Sequence, residues 1–79
     1  MDQATVLKLI QEALEQQEEV TMDDSSQTLE KWDSLAQLQI LVKIDQETNG
    51  KAANIPELAI ALSTKDIVET LSANGLIEG

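Results

Sequence analysis

The chain contains no cysteine, histidine, arginine, phenylalanine or tyrosine. Without cysteine it can form neither a disulfide staple nor a thiolate metal site, so stability has to come from packing. Without histidine, cysteine, arginine or tyrosine, a serine nucleophile has no common base, and the lysines show no triad-like arrangement. Carboxylates are plentiful, but on 79 residues they read as solvated faces, with too little bulk behind them to wall off a substrate cleft. An enzyme is therefore not expected. With Trp32 as the single aromatic residue, the core must be aliphatic. No apolar run is long enough to cross a bilayer, and Met1-Asp2-Gln3-Ala4 lacks the basic-then-apolar layout of a signal peptide. A soluble cytoplasmic protein with no membrane partner is expected.

What is present bounds the rest. Seventy-nine residues predict one domain, residues 1–79, at the small end of what closes a core unaided. The hydrophobic fraction of 42% argues against disorder over most of the length. Fifteen acids against five lysines give a net charge of −10. Such a surface repels phosphate backbones, which makes nucleic acid a poor partner and favours proteins with basic patches. Keeping a small protein in solution is the plainer explanation of the same charge.

Along the chain, Val6, Ile10, Ala13 and Leu14 repeat at helical spacing, widened by Leu7 and Leu9, and predict an amphipathic helix over about 3–16. Acids near its C-terminal end oppose the helix dipole and should let the last turn fray. From Gln17 to Trp32 the periodicity fails. Thr21, Asp23, Asp24, Ser25, Ser26 and Thr28 are turn formers, while Val20, Met22, Leu29 and Trp32 read as anchors of a long ordered loop. A second helix is predicted from Ser34 to about Thr48, with Leu35, Leu38, Leu41, Val42 and Asp45 on one stripe and Ile40 and Ile44 beside it. Apolar residues cover more than half its circumference, so it should be the central helix, ended by Asn49-Gly50. After a connector over 51–55, Pro56 suits the first position of a short third helix, 56–62. Ser63-Thr64-Lys65-Asp66 is a capping box for a fourth, with Ile67, Val68 and Leu71 inward and Asn74-Gly75 at its end. The pattern is all-α: a small four-helix bundle with a long loop between the first two helices and a short third helix.

Two features could carry chemistry. Asp45-Gln46-Glu47-Thr48-Asn49-Gly50 has the opening of a calcium-binding EF-hand loop, but the twelfth position holds Pro56 where a bidentate Glu should close the shell. The glycine reads better as a helix stop, and no metal site is expected. Asp33-Ser34 stands at the start of the most apolar helix. Either residue could be the N-cap, and Ser34 with Gln37 would make a Ser-x-x-Gln capping box. The same position suits a phosphodiester, which would meet unpaired backbone N–H groups and the positive end of the dipole.

Asp33-Ser34-Leu35, preceded by Trp32, resembles the Asp-Ser-Leu motif of acyl carrier proteins, in the Trp-Asp-Ser-Leu form of some stand-alone members. The resemblance extends over the whole chain in element order, size and acidity, and favours a free-standing protein. It implies a phosphopantetheine arm attached to Ser34, flanked by Asp33 and Leu35, placed there by a phosphopantetheinyl transferase that uses coenzyme A. The arm would carry an acyl or aminoacyl group as a thioester, loaded by a ligase and delivered to acyltransferase or synthase enzymes, with the protein acting as a monomeric tether. The resemblance also makes the second helix the recognition surface, here Trp32, Ala36, Gln37, Gln39, Ile40, Lys43 and Glu47. Where fatty-acid carriers commonly place acids this chain has Ala36 and Gln39, which points to a specialised pathway. The alternative is a non-enzymatic helical interaction module in which Ser34 is only a cap.

Overall fold

The computed structural model describes residues 1–77. Asp2, in extended backbone, opens α1 (Gln3–Leu14) by accepting the Thr5 N–H on its side chain. The Thr5 hydroxyl donates to the same oxygen. This hydroxyl contact first, and the N–H second, hold the Asp2 carboxyl below the ordinary carboxylate range. A lowered pKa favours the folded state above the unfolded value of about 3.9, and that contribution is lost as the pH falls through the lowered one. Val6, Ile10 and Leu14 face inward. The helix stops two residues short of the predicted end because Glu15 turns left-handed at φ 53° and its N–H caps the carbonyls of Gln11 and Glu12.

The segment between α1 and the next helix is held by its own side chains. Asp24 accepts from the Thr21 N–H at 2.9 Å and from the Thr28 hydroxyl at 3.2 Å, and Thr28 Oγ1 in turn accepts the Ser25 N–H at 2.8 Å. Two backbone bonds tie this knot to the start of the last helix, Ser26 N–H to Leu62 O and Thr64 N–H to Asp24 O. Val20 and Trp32 are buried, and Met22 and Leu29 pack against the same core. All four anchors named from the sequence therefore touch it.

Helix α2 (Ser34–Glu47) packs against α1 and against two 3-10 turns, Lys51–Asn54 and Pro56–Ile60. Its inward face is Ala36, Gln37, Ile40 and Ile44, and this corrects the stripe read from the sequence. Leu35, Leu38 and Val42 stand 67%, 55% and 43% exposed, whereas Ile40 and Ile44 are fully buried. At 100° per residue the two sets lie on nearly opposite sides of the helix. A helix that is apolar almost all round carries little directional signal, so its rotation is decided by which side chains find partners.

Asn49 and Gly50 both adopt left-handed backbone and end α2, and Gly50 N–H donates to Asp45 O. The predicted third helix, 56–62, is instead the shorter 3-10 turn Pro56–Ile60, preceded by another in the connector. Pro56 has no N–H to donate, and four to five residues favour the tighter winding. Helix α3 (Thr64–Ala73) starts on Ser63, whose hydroxyl accepts the Asp66 N–H at 3.1 Å. The described residues are thus all-helical, with three α-helices and two 3-10 turns around one aliphatic cluster. None of these helices is long and apolar enough to cross a membrane.

Two measurements check this packing. Ile44→Ala should cost about 2–5 kcal/mol in urea unfolding, whereas Leu38→Ser should stay within about 0.5 kcal/mol. The Thr64 hydroxyl is fully buried and has no hydrogen-bond partner among the described residues. Thr64→Val should therefore raise stability by about 1 kcal/mol.

Candidate functional site

The site is built outward from the first turn of α2. Asp33 has extended backbone, and its Oδ1 accepts the Ala36 N–H at 2.9 Å, while its carbonyl accepts the Gln37 N–H at 2.9 Å. Asp33 is therefore the N-cap, and Ser34 is the first helical residue. This corrects the capping box proposed for Ser34 and Gln37: Ser34 does not cap, and Gln37 points the other way, into the core. The N–H groups of Ser34 and Leu35 belong to the opening turn, which has no intrahelical acceptors for them. Ser34 is exposed, so its hydroxyl stands at the positive end of the dipole and is accessible from outside.

Beneath this turn lies a buried polar chain. Trp32 Nε1–H donates to Gln37 Oε1 at 2.7 Å. The Gln37 Nε2 group donates to the carbonyls of Leu58 and Ala61, both at 3.1 Å. One amide thus joins the end of the long loop, the first turns of α2, and the second 3-10 turn with the residue that follows it. Every polar atom of that side chain is satisfied, as burial requires.

Two grooves flank the exposed side of α2. The first, about 660 Å³, lies between the end of α1 and α2 and carries both signs of charge: Glu12, Glu15 and Asp33 with Lys31 and Lys43. Lys31 Nζ donates to the Glu15 carbonyl at 3.1 Å, which ties the loop to the α1 terminus. The second groove, about 400 Å³, lies between α2 and the 3-10 turns and is lined largely by Leu41, Val42, Ile55, Pro56 and Leu58. Between the two runs the apolar ridge Leu35–Leu38–Val42, which begins one residue after Ser34.

The residues singled out from the sequence divide accordingly. Asp33, Leu35, Ala36, Gln39 and Lys43 all border the first groove, and Ser34 sits at its α2 edge by sequence. Trp32, Ala36, Gln37 and Ile40 are buried, at 7% exposure or less, so direct recognition by these four is corrected: their side chains support the site from within. Gln39 and Glu47 are exposed and Lys43 is half-buried. The recognition residues expected from the sequence leave out Leu38 and Val42, which it places on the apolar stripe of the helix. Asp45, first position of the calcium-like loop, accepts the Ala53 N–H on its Oδ1 at 3.0 Å. Among the described residues no three acidic or other metal-ligating side chains converge.

Comparison with protein families, curated proteins and solved structures finds no match to this chain. The capping geometry makes its own prediction. Asp33→Ala should cost about 1 kcal/mol by thermal or urea unfolding, while Ser34→Ala should change stability by less than about 0.5 kcal/mol.

Proposed function

We propose that this chain is a carrier protein, holding an acyl or aminoacyl group as a thioester on a phosphopantetheine arm joined to Ser34. The observation that carries the reading is the division of labour at the head of α2. Asp33 does the capping, which leaves an exposed serine hydroxyl in the one place where helix geometry favours a phosphodiester. Together with the Trp-Asp-Ser-Leu motif and the helix–long loop–helix order, this favours a carrier over an interaction module in which Ser34 caps. The finer architecture follows the same reading, with the two 3-10 turns standing where a carrier's short third helix would be.

Attachment requires a phosphopantetheinyl transferase and coenzyme A. The Ser34 Oγ forms a bond to the β-phosphorus of coenzyme A. The bond from that phosphorus to the bridging oxygen breaks, adenosine 3′,5′-bisphosphate leaves, and the hydroxyl proton passes to a base on the transferase. The chain itself supplies the nucleophile's position and the unpaired N–H groups of the first turn. The thiol at the far end of the arm then bears the cargo, and tethering raises its effective concentration at each partner's active site. Its partners are a loading ligase and an acyltransferase or synthase, and we place it in the cytoplasm as a monomer.

The docking face differs from an acidic one. Over the first three turns α2 presents Leu35, Leu38 and Val42 with Gln39 and Lys43, and Asp45 is engaged by Ala53 N–H. Within α2 itself acid is fully exposed only at Glu47, in the last turn, with the exposed Asp33 as the N-cap before it. An apolar face suits dedicated partners of a specialised pathway, whose binding would depend weakly on salt.

Incubation with coenzyme A and a broad-specificity transferase should add one phosphopantetheine to the intact mass, and Ser34→Ala should abolish the gain. A folded wild-type chain that gains no mass would refute the reading.

A further inference from the structure

We propose that Gln37 limits this carrier to short cargo, by fastening the second 3-10 turn to α2 and so fixing the floor of the apolar groove between them. The inference rests on the carrier reading above and concerns what the arm can bring back to the protein.

Of the two grooves flanking α2 described above, this is the one whose walls are mainly aliphatic, and at about 400 Å³ it lies near the lower end of ligand-sized pockets. It is shallow because its floor is core. Leu58, which lines it, is 1% exposed and belongs to the central cluster. A longer chain could gain shelter only by moving Leu58 and the rest of Pro56–Ile60 away from α2. That movement is opposed where Gln37 Nε2 holds Leu58 O, in the middle of the segment, and Ala61 O, on the residue that follows it. Gln37 cannot follow the segment, because its own oxygen is held by Trp32 Nε1–H at 2.7 Å. Parting these groups inside an aliphatic core leaves buried donors and acceptors unpaired, the most costly way to break a hydrogen bond. The side chains behind Leu58 belong to the same core: Val6, Ile10, Ile40, Ile44, Ile67 and Leu71 are fully buried in a single cluster with it.

Trp32 is the only tryptophan and is itself part of the fastening, so its emission reports the state of the network. The test loads Ser34 with acetyl, butanoyl, octanoyl or dodecanoyl phosphopantetheine from the corresponding coenzyme A thioesters, then records the thermal midpoint and Trp32 fluorescence. In the wild type the midpoint should rise no further beyond butanoyl, and the emission maximum and the Gln37 side-chain amide resonances should stay constant across the series. Gln37→Met, which keeps the length of the side chain but removes both donors, should restore a rise of about 4 °C or more between butanoyl and dodecanoyl. A wild-type midpoint that climbs through dodecanoyl, with shifted Trp32 emission or Gln37 amide signals, would overturn the proposal. So would a folded Gln37→Met variant whose midpoint stays flat. If that variant does not fold, the wild-type series and the amide resonances decide the matter alone. Failure to load any arm refutes the Ser34 reading instead, so the two failures are distinguishable.

Discussion

The buried contact between the Trp32 indole and the Gln37 amide, continued to the carbonyls of Leu58 and Ala61, is the constraint on which the arrangement of this fold depends. A hydrogen bond adds only about 1 kcal/mol net when it is made, which is modest beside the aliphatic burial around it. Its influence comes from the asymmetry between making and breaking. The Trp32 N–H, the Gln37 amide and two backbone carbonyls would each be stranded in a dry core if α2 turned on its axis. Aliphatic side chains tolerate several rotations of a helix that is apolar on nearly every side, but this set of donors and acceptors is satisfied by one. The amide therefore selects among packings that hydrophobic burial alone would leave close in energy.

That selection shapes the surface. With Ala36, Gln37, Ile40 and Ile44 turned inward, Leu35, Leu38 and Val42 are left facing out, a row that begins beside Ser34 and ends at the mouth of the apolar groove. Gln39 and Lys43 fall on the opposite flank, above the groove that α1 closes with Glu12 and Glu15. The two sides of the candidate site thus have different chemistry, one apolar and one of mixed charge. Single apolar side chains at a surface need no explanation, whereas these three lie in register along one helix face. The charge of −10 sits mostly elsewhere, and it contributes to approach more than to the contact itself.

The loop before α2 has a related task. It holds Asp33 in extended backbone so that a cap can form without drawing on the serine. Its inner hydrogen bonds around Asp24 and its two backbone ties to the segment 62–64 make it a fixed strap, and Trp32 roots its final residues in the core. Lys31 adds a tie to the end of α1, where Glu15 stands in left-handed backbone. The order of the long loop is thus what allows the first turn of α2 to present a serine at a defined position.

Local chemistry was sufficient to read much of this from the chain. The amphipathic first helix, the Asn49-Gly50 stop, the Ser63 cap and the four loop anchors follow from spacing, left-handed tolerance and capping, each settled within a few residues. The place where a serine heads the central helix was legible for the same reason. The choice of cap between Asp33 and Ser34 was not, because both residues cap well and their neighbours decide. Nor was the inward face of α2, since hydropathy does not choose between Leu35, Leu38 and Val42 on one side and Ile40 and Ile44 on the other. The sequence alone determined where helices start and stop and that their core is aliphatic. Only the tertiary structure decided which face of α2 is buried, because the partners of the Gln37 amide lie 5, 21 and 24 residues away along the chain.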